Sequence, residues 1–206
     1  GEPPEVAEAL FTHYLPRHAD DDLPQDKVGA LVGLADRLDT ICGCFGVGLS
    51  PTGTADPYGL RRHALAVIRI LRSTKLHLDL VAAVALALEL LQDKISRTGE
   101  ETALEVLDFF QTRLQHLLLV EGFDHETITA VLAAGCRDVV DAADKVRALA
   151  AVRQSPEFPA LATAFKRVIN IAQGAEPGEV TPLLFEQPEE NVLFESTELM
   201  ELEVTR

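Results

Sequence analysis

Between Asp26 and Cys42 apolar residues return every three or four positions, at Val28, Leu31, Leu34, Ala35, Leu38 and Ile41. That spacing gathers them on one face of an α-helix but scatters them over both faces of a strand. The same period governs almost the whole chain. Pro3 and Pro4 precede a short helix expected over about Glu5–Tyr14, closed by Pro16 and the acidic turn Asp20–Asp22. Gly43, Gly46 and Gly48 are expected to break the second helix. Asp56-Pro57 reads as the start of a third, reaching about Ser73, with Asp56 capping and Pro57 in the first turn. A very apolar fourth helix covers about Leu76–Asp93. Thr98-Gly99-Glu100-Glu101 has capping-box spacing and opens a fifth. Its inward side chains are read as Leu104, Leu107, Phe110, Leu114, Leu117 and Leu118, and Gly122 ends it. Asp124 caps the next helix, and others are expected over Asp138–Arg153 and Glu157–Ala172. Gly174–Pro188 reads as a Pro/Gly/Glu linker and Asn191–Val204 as an acidic edge helix. No internal repeat and no strand pattern is visible. The predicted fold is all-α: a helical bundle of two packed domains, residues 1–97 and 98–173, followed by an acidic linker and terminal helix over 174–206.

With 206 residues the chain has room for one large or two small domains. Its longest apolar run, Leu80–Leu88, is bounded by Asp79 and Glu89, which marks a buried helix and not a membrane span. No secretory signal is visible, and a start at Gly1 without Met suggests a piece of something longer. Cys42, Cys44 and Cys136 form neither a CxxC pair nor an even disulfide set, so reduced, buried thiols in the cytoplasm are expected. Net charge is −15, yet acids exceed bases by only thirteen to ten in residues 1–97 and eleven to seven in 98–173. In residues 174–206 the count is nine to one. The body is mildly acidic, and a local basic face can still dominate a phosphate contact.

The helix after Pro57 offers such a face. Arg61, Arg62, Arg69 and Arg72 fall within an arc of about 100°, while Leu60, Ala64, Val67, Ile68 and Leu71 fill another. Arginine suits phosphate because its planar fork donates two parallel hydrogen bonds. The bland alternative is a solvated face paired with acids. Ahead of this helix, the loop Gly46–Gly59 combines glycines with Ser50, Thr52, Thr54 and Tyr58, and a helix N-terminus there would favour an anion. No GK[ST] follows, so it is not a Walker loop. In the second half, Lys166, Arg167 and Asn170 share one arc opposite Phe158, Leu161, Phe165, Val168 and Ile169. Arg113, Phe109 and His116 sit off the leucine face of their helix, and cations with an exposed aromatic suit a single-stranded RNA loop. Asp36 and Asp39 are neighbours on one helix surface. Asp36 is the one metal-ligand candidate, but His13, His18 and His63 are scattered and no His-Asp pair exists. Asp36 reads instead as a structural carboxylate bridged to Arg61 or Arg62. No catalytic residue set is present.

The motifs LADRLDT at Leu34–Thr40, FGVG at Phe45–Gly48 and PTGTADPYGLRR at Pro51–Arg62 closely resemble the bacterial glycyl-tRNA synthetase β subunit family. The likeness continues through FQTRL at Phe110–Leu114 and FKRVINI at Phe165–Ile171. LADRLD also resembles the last metal-ligand helix of HD phosphohydrolases. The resemblance implies the end of an HD-like helical domain over residues 1–97 and a DALR-type anticodon-binding domain over 98–173. It implies a tRNA-binding part of a ligase that joins glycine to tRNA(Gly) with ATP and Mg²⁺, non-catalytic by itself. The partners implied are tRNA(Gly) and an α subunit, in an α2β2 assembly without a membrane. The tRNA-binding residues implied are Arg61, Arg62, Arg69, Arg72, Arg113, Lys166, Arg167 and Asn170. Two rival functions are an HD-type metal phosphohydrolase and a helical interaction module with no RNA role.

Overall fold

Short side chains with an acceptor oxygen start most of the helices. Asp26 accepts the Gly29 amide and opens α2 (Lys27–Gly46), which follows α1 (Pro4–Thr12). Asp79 accepts from Val81 and Ala82 at the head of α4 (Leu80–Leu90). Thr98 does so for Glu101 at α5 (Gly99–Val120), Asp124 for Thr127 at α6 (His125–Ala133), and Asp138 for Val140 and Asp141 at α7 (Val139–Val152). Each bond satisfies an amide that the helix itself leaves unpaired. Between α2 and α4 lies α3 (Leu60–Thr74); beyond α7 come α8 (Phe158–Ala172), a 3₁₀ turn over Pro182–Leu184 and α9 (Pro188–Val204). This computed structural model describes residues 1–18, 20–174, 178 and 180–204, with no side chains described from 201 onward. Among the described residues there is no strand, only one isolated bridge between Thr52 and Ala55. The protein is all-α.

The core is one cluster, and α2 and α3 stand at its centre. α2 packs against α1, α3, α4 and α5, while α3 packs against α2, α5 and α7. Leu60, Ala64, Val67, Ile68, Ile70 and Leu71 of α3 are wholly buried against Ile41 and Phe45 of α2, Val106 and Phe110 of α5 and their neighbours. Each such aliphatic side chain contributes about 1.5–3 kcal/mol. Packing divides the chain into Gly1–Phe158 and Pro159–Arg206, and core residues on both sides of Ser96–Gly99 belong to the single cluster of the first unit. Within the second unit, α8 buries no side chain, and the rings of Phe185 and Phe194 meet edge-on at 5.8 Å. The linker expected over Gly174–Pro188 falls partly outside the described residues.

Several local expectations need correction. α2 does not break at Gly43 or Gly46; it runs through both and stops where Gly48 takes a φ of 79°. Gly46 is needed there because the 95–97 segment crosses the end of α2. The Gly46 carbonyl accepts the Ser96 and Arg97 amides, both at 3.0 Å, and a Cβ would stand 2.3 Å from Ile95 Cγ2. Pro57 lies before α3 and not in its first turn. On α5, Phe110, Leu114 and Leu118 are buried and Leu107 and Leu117 pack partly on the core, but Leu104 is 66% exposed. Thr102, Val106 and Phe109 take the inner face because α2, α3 and α4 lie on that side.

Candidate nucleic-acid interface

The loop before α3 is built by its own side chains. Thr52 and Ala55 exchange main-chain hydrogen bonds at 2.9 and 3.2 Å around Gly53, whose φ is 52°. Asp56 then accepts the amides of Leu60 at 2.8 Å and Arg61 at 3.0 Å, reaching over a turn that ends at Gly59 in the left-handed region. The helix N-terminus is therefore already met by an internal carboxylate, which corrects the expectation of an open anion seat there. Arg61 turns back on the loop, donating to Gly53 O at 2.7 Å and Ala55 O at 3.4 Å. It holds the loop and does not stand free on the basic ridge.

Of the other ridge residues, Arg62 is exposed and makes no hydrogen bond or ion pair with any described residue. Arg69 is half-buried and donates to Asp21 O at 3.3 Å. Arg72 grips Glu121 of α5 with both guanidinium nitrogens, at 2.6 and 2.8 Å. Arg69 and Arg72 converge on a recess of about 550 Å³ between the end of α3, α5 and α7, which Lys75 and Arg147 also line. Its two acids are Glu121 and Asp144, the latter paired with Arg147. Lys75 has no partner among the described residues and closes α3 with a φ of 52°. Nothing in the helical pattern brings Lys75 and Arg147 together. Arg147 looks self-paired on its own helix, and only the packing of α7 against α3 brings it to the recess.

Arg113 lies apart from that recess. Its guanidinium sits 5.0 Å over the Phe109 ring, and its Nε is buried without a partner among the described residues. Burial lowers its pKa, helped by the neighbouring Arg61 charge and opposed by Asp56. Phe109 is 9% exposed and packs on Phe45 at 5.1 Å, so it is a core ring and not a surface for stacking a base. His116 is exposed. Lys166, Arg167 and Asn170 are exposed together on α8, in the second unit, where Leu161, Phe165, Val168 and Ile169 are exposed as well.

Asp36 forms no salt bridge with Arg61 or Arg62, correcting that expectation. It is exposed beside a cavity of about 300 Å³ lined by Tyr14, Arg17, Arg37, Arg62 and His63. Arg37, which the sequence pattern did not single out, is 5% exposed. It donates to the carbonyls of His13, Gly33, Tyr14, Leu15 and Pro16 at 2.8–3.4 Å, tying the chain after α1 to α2. A lone acid among cations does not fit a divalent ion, and no group of three or more His, Cys, Asp or Glu converges among the described residues. Burial pushes the Cys42 thiol up to about 12 and Cys136 up to about 11, with Cys44 also raised. None is poised as a nucleophile at neutral pH. No helix among the described residues is long and apolar enough to cross a membrane.

The chain is all-helical and carries a recess lined by cations on an acidic body. The family described as glycyl-tRNA synthetase beta subunit matches residues 1–133, and this chain belongs to that family. It is 47% identical over 196 residues to the glycine–tRNA ligase beta subunit of Syntrophotalea carbinolica, covering 95% of this chain and 28% of that protein. Identity is 45% over 194 residues with the beta subunit of Syntrophus aciditrophicus and 47% over 194 with that of Geobacter sulfurreducens, at 94% and 28% coverage in both. The chain thus spans just over a quarter of the length of these curated relatives.

Proposed function

We propose that this chain is a tRNA-gripping segment of a glycyl-tRNA synthetase β subunit. The holoenzyme, an α2β2 assembly in the cytoplasm, would join glycine to tRNA(Gly), using ATP and Mg²⁺ bound outside this chain. The observation that carries the reading is the recess at the end of α3. A protein of net charge −15 lines it with Arg69, Arg72, Lys75 and Arg147 against two acids. Those cations suit backbone phosphates near the acceptor end, while Lys166, Arg167 and Asn170 of α8 suit the anticodon arm. Phosphate contacts fix the register of an RNA, and binding made far from the reacting ends can orient the 3′ terminus towards a partner's active site. Residues 98–173 would then act as the anticodon-binding region and 1–97 as an HD-like region that has lost its metal chemistry.

The test is titration of the intact αβ enzyme with tRNA(Gly) and an anticodon-altered copy over a range of salt. Lys75→Ala and Arg147→Ala should weaken both RNAs alike and each reduce the slope of log affinity against log salt by about one. Lys166→Ala with Arg167→Ala should narrow the difference between the two RNAs. Affinity indifferent to salt and to all four substitutions would sink the proposal and favour a helical module that binds through apolar faces.

A further inference from the structure

Two adjoining cavities between the chain after α1 and the first half of α3 hold chemistry that the Arg72 recess does not use. The smaller, of about 300 Å³, has a buried charge in its wall that forms no ion pair with any described residue, the lining acid Asp36 included. Arg37 is 95% buried, and all five of its hydrogen bonds run to main-chain carbonyls. Carbonyl dipoles solvate a guanidinium but leave its net charge in place, and an uncompensated buried charge is costly. Arg62 adds a second cation at the mouth without a partner among the described residues. Arg17 adds a third, held by Asp21 at 2.8 Å. His63 lines the same cavity with its Nδ1 buried and without a hydrogen-bond partner among the described residues; burial, with the charges of Arg37 and Arg62, lowers its pKa against the opposing pull of Asp36 and Asp56. Asp36, the one acid of the lining, accepts no hydrogen bond from any described residue.

The second cavity, of about 360 Å³, shares Pro16, Arg17 and Arg62 with the first, so the two meet at Arg62. Its other walls join the apolar side chains of Leu65, Ala66, Leu117 and Val120 with His18, Asp20 and Arg69. One side therefore calls for an anion, a carboxylate on that side calls for hydroxyl donors, and the other side offers apolar side chains among polar ones.

We infer that the two cavities form one site for a single nucleotide, with its phosphate at Arg62 and His63, its ribose hydroxyls at Asp36 and its base against Leu65, Ala66, Leu117 and Val120. A guanidinium clamps a phosphate through paired charge-assisted bonds, an ionised carboxylate only accepts, and a base is a flat body suited to an apolar wall. Inorganic phosphate fills one half of such a site and a nucleoside the other. A free mononucleotide and an unpaired residue of an RNA strand both present this unit. The site shares Arg69 and Leu117 with the recess but not Lys75 or Arg147, so the two proposals are told apart at Lys75 and Arg147.

The test is thermal unfolding of the 206-residue chain with nucleoside 5′-monophosphates, nucleosides, inorganic phosphate and a single-stranded tetranucleotide. Millimolar monophosphate is expected to raise Tm by about 2–4 °C, with phosphate or nucleoside alone giving less than about a third of that. Arg62→Ala and Val120→Glu, both at exposed positions, should each weaken the nucleotide at least about tenfold while leaving the ligand-free Tm within about a degree. Lys75→Ala should change the nucleotide Kd less than about twofold. A tetranucleotide bound about tenfold tighter identifies an RNA strand as the source, and equal binding identifies a free nucleotide; either upholds the site. No monophosphate-dependent shift, phosphate as effective as the nucleotide, or a Kd blind to both Arg62→Ala and Val120→Glu overturns it.

Discussion

Arg37 takes a guanidinium into the interior and satisfies it with the carbonyls of a turn that has no regular partner of its own. Removing it strands acceptors on both sides of the α1–α2 connection at once. Arg37→Met is expected to lower unfolding free energy by about 2–4 kcal/mol, measured by urea denaturation, because several buried carbonyls lose a charged donor together. A loss under about 0.5 kcal/mol would mean that water replaces the guanidinium freely. Asp124 is a different case. Its carboxylate accepts from the Thr127 hydroxyl and amide and meets Arg153, and these contacts hold its pKa down at about 2. The folded value lies below the unfolded one, so the stabilisation is complete above about pH 4 and fades as pH falls towards 2. Asp124→Asn keeps a capping oxygen and removes the titration. Its stability should change less than that of the unaltered chain across that window, as followed by circular dichroism. Equal slopes would show that other carboxylates dominate acid unfolding.

At the scale of elements, one helix carries two glycines with opposite meanings. A Cβ at Gly43 would meet only Leu91 Cδ1, at 3.7 Å, whereas at Gly46 it would collide with Ile95. Gly43→Ala should therefore stabilise by about 0.5–1 kcal/mol through helix propensity. Gly46→Ala should destabilise by about 1–3 kcal/mol despite the same propensity gain, because the crossing segment must shift. Thermal melts of the pair decide it, and equal signs would refute the assignment of the crossing. Sequence could not separate these glycines, since the contact at Gly46 comes from residues fifty positions away. What was legible were the helices themselves, because Asp26, Thr98, Asp124 and Asp138 act through bonds two or three residues long. The face of α5 was harder to read: its leucines outnumber its buried positions, and Leu104 is spent on solvent.

Over the molecule as a whole, burial is concentrated in the first unit. Amides of Val67–Leu71 on α3 lie at its centre, while α8 buries nothing. Hydrogen exchange should show the α3 amides protected more than about a hundredfold beyond those of α8, since a helix without tertiary cover opens locally. Comparable protection would require a cover that α8 lacks here. The candidate site was legible only in part for a related reason. Helical periodicity put Arg61, Arg62, Arg69 and Arg72 on one ridge, but could not tell that Arg61 turns to its loop, that Arg72 meets Glu121 or that Arg62 and Arg72 line different cavities. It missed Lys75, Arg147, Arg37 and His63, whose roles come from which helices pack together. Lys75 in turn occupies a left-handed backbone position that glycine holds with less strain. A laboratory selection for heat resistance should drift towards Lys75→Gly, and the hardier descendants would strip a cation from the recess while every helix kept its place.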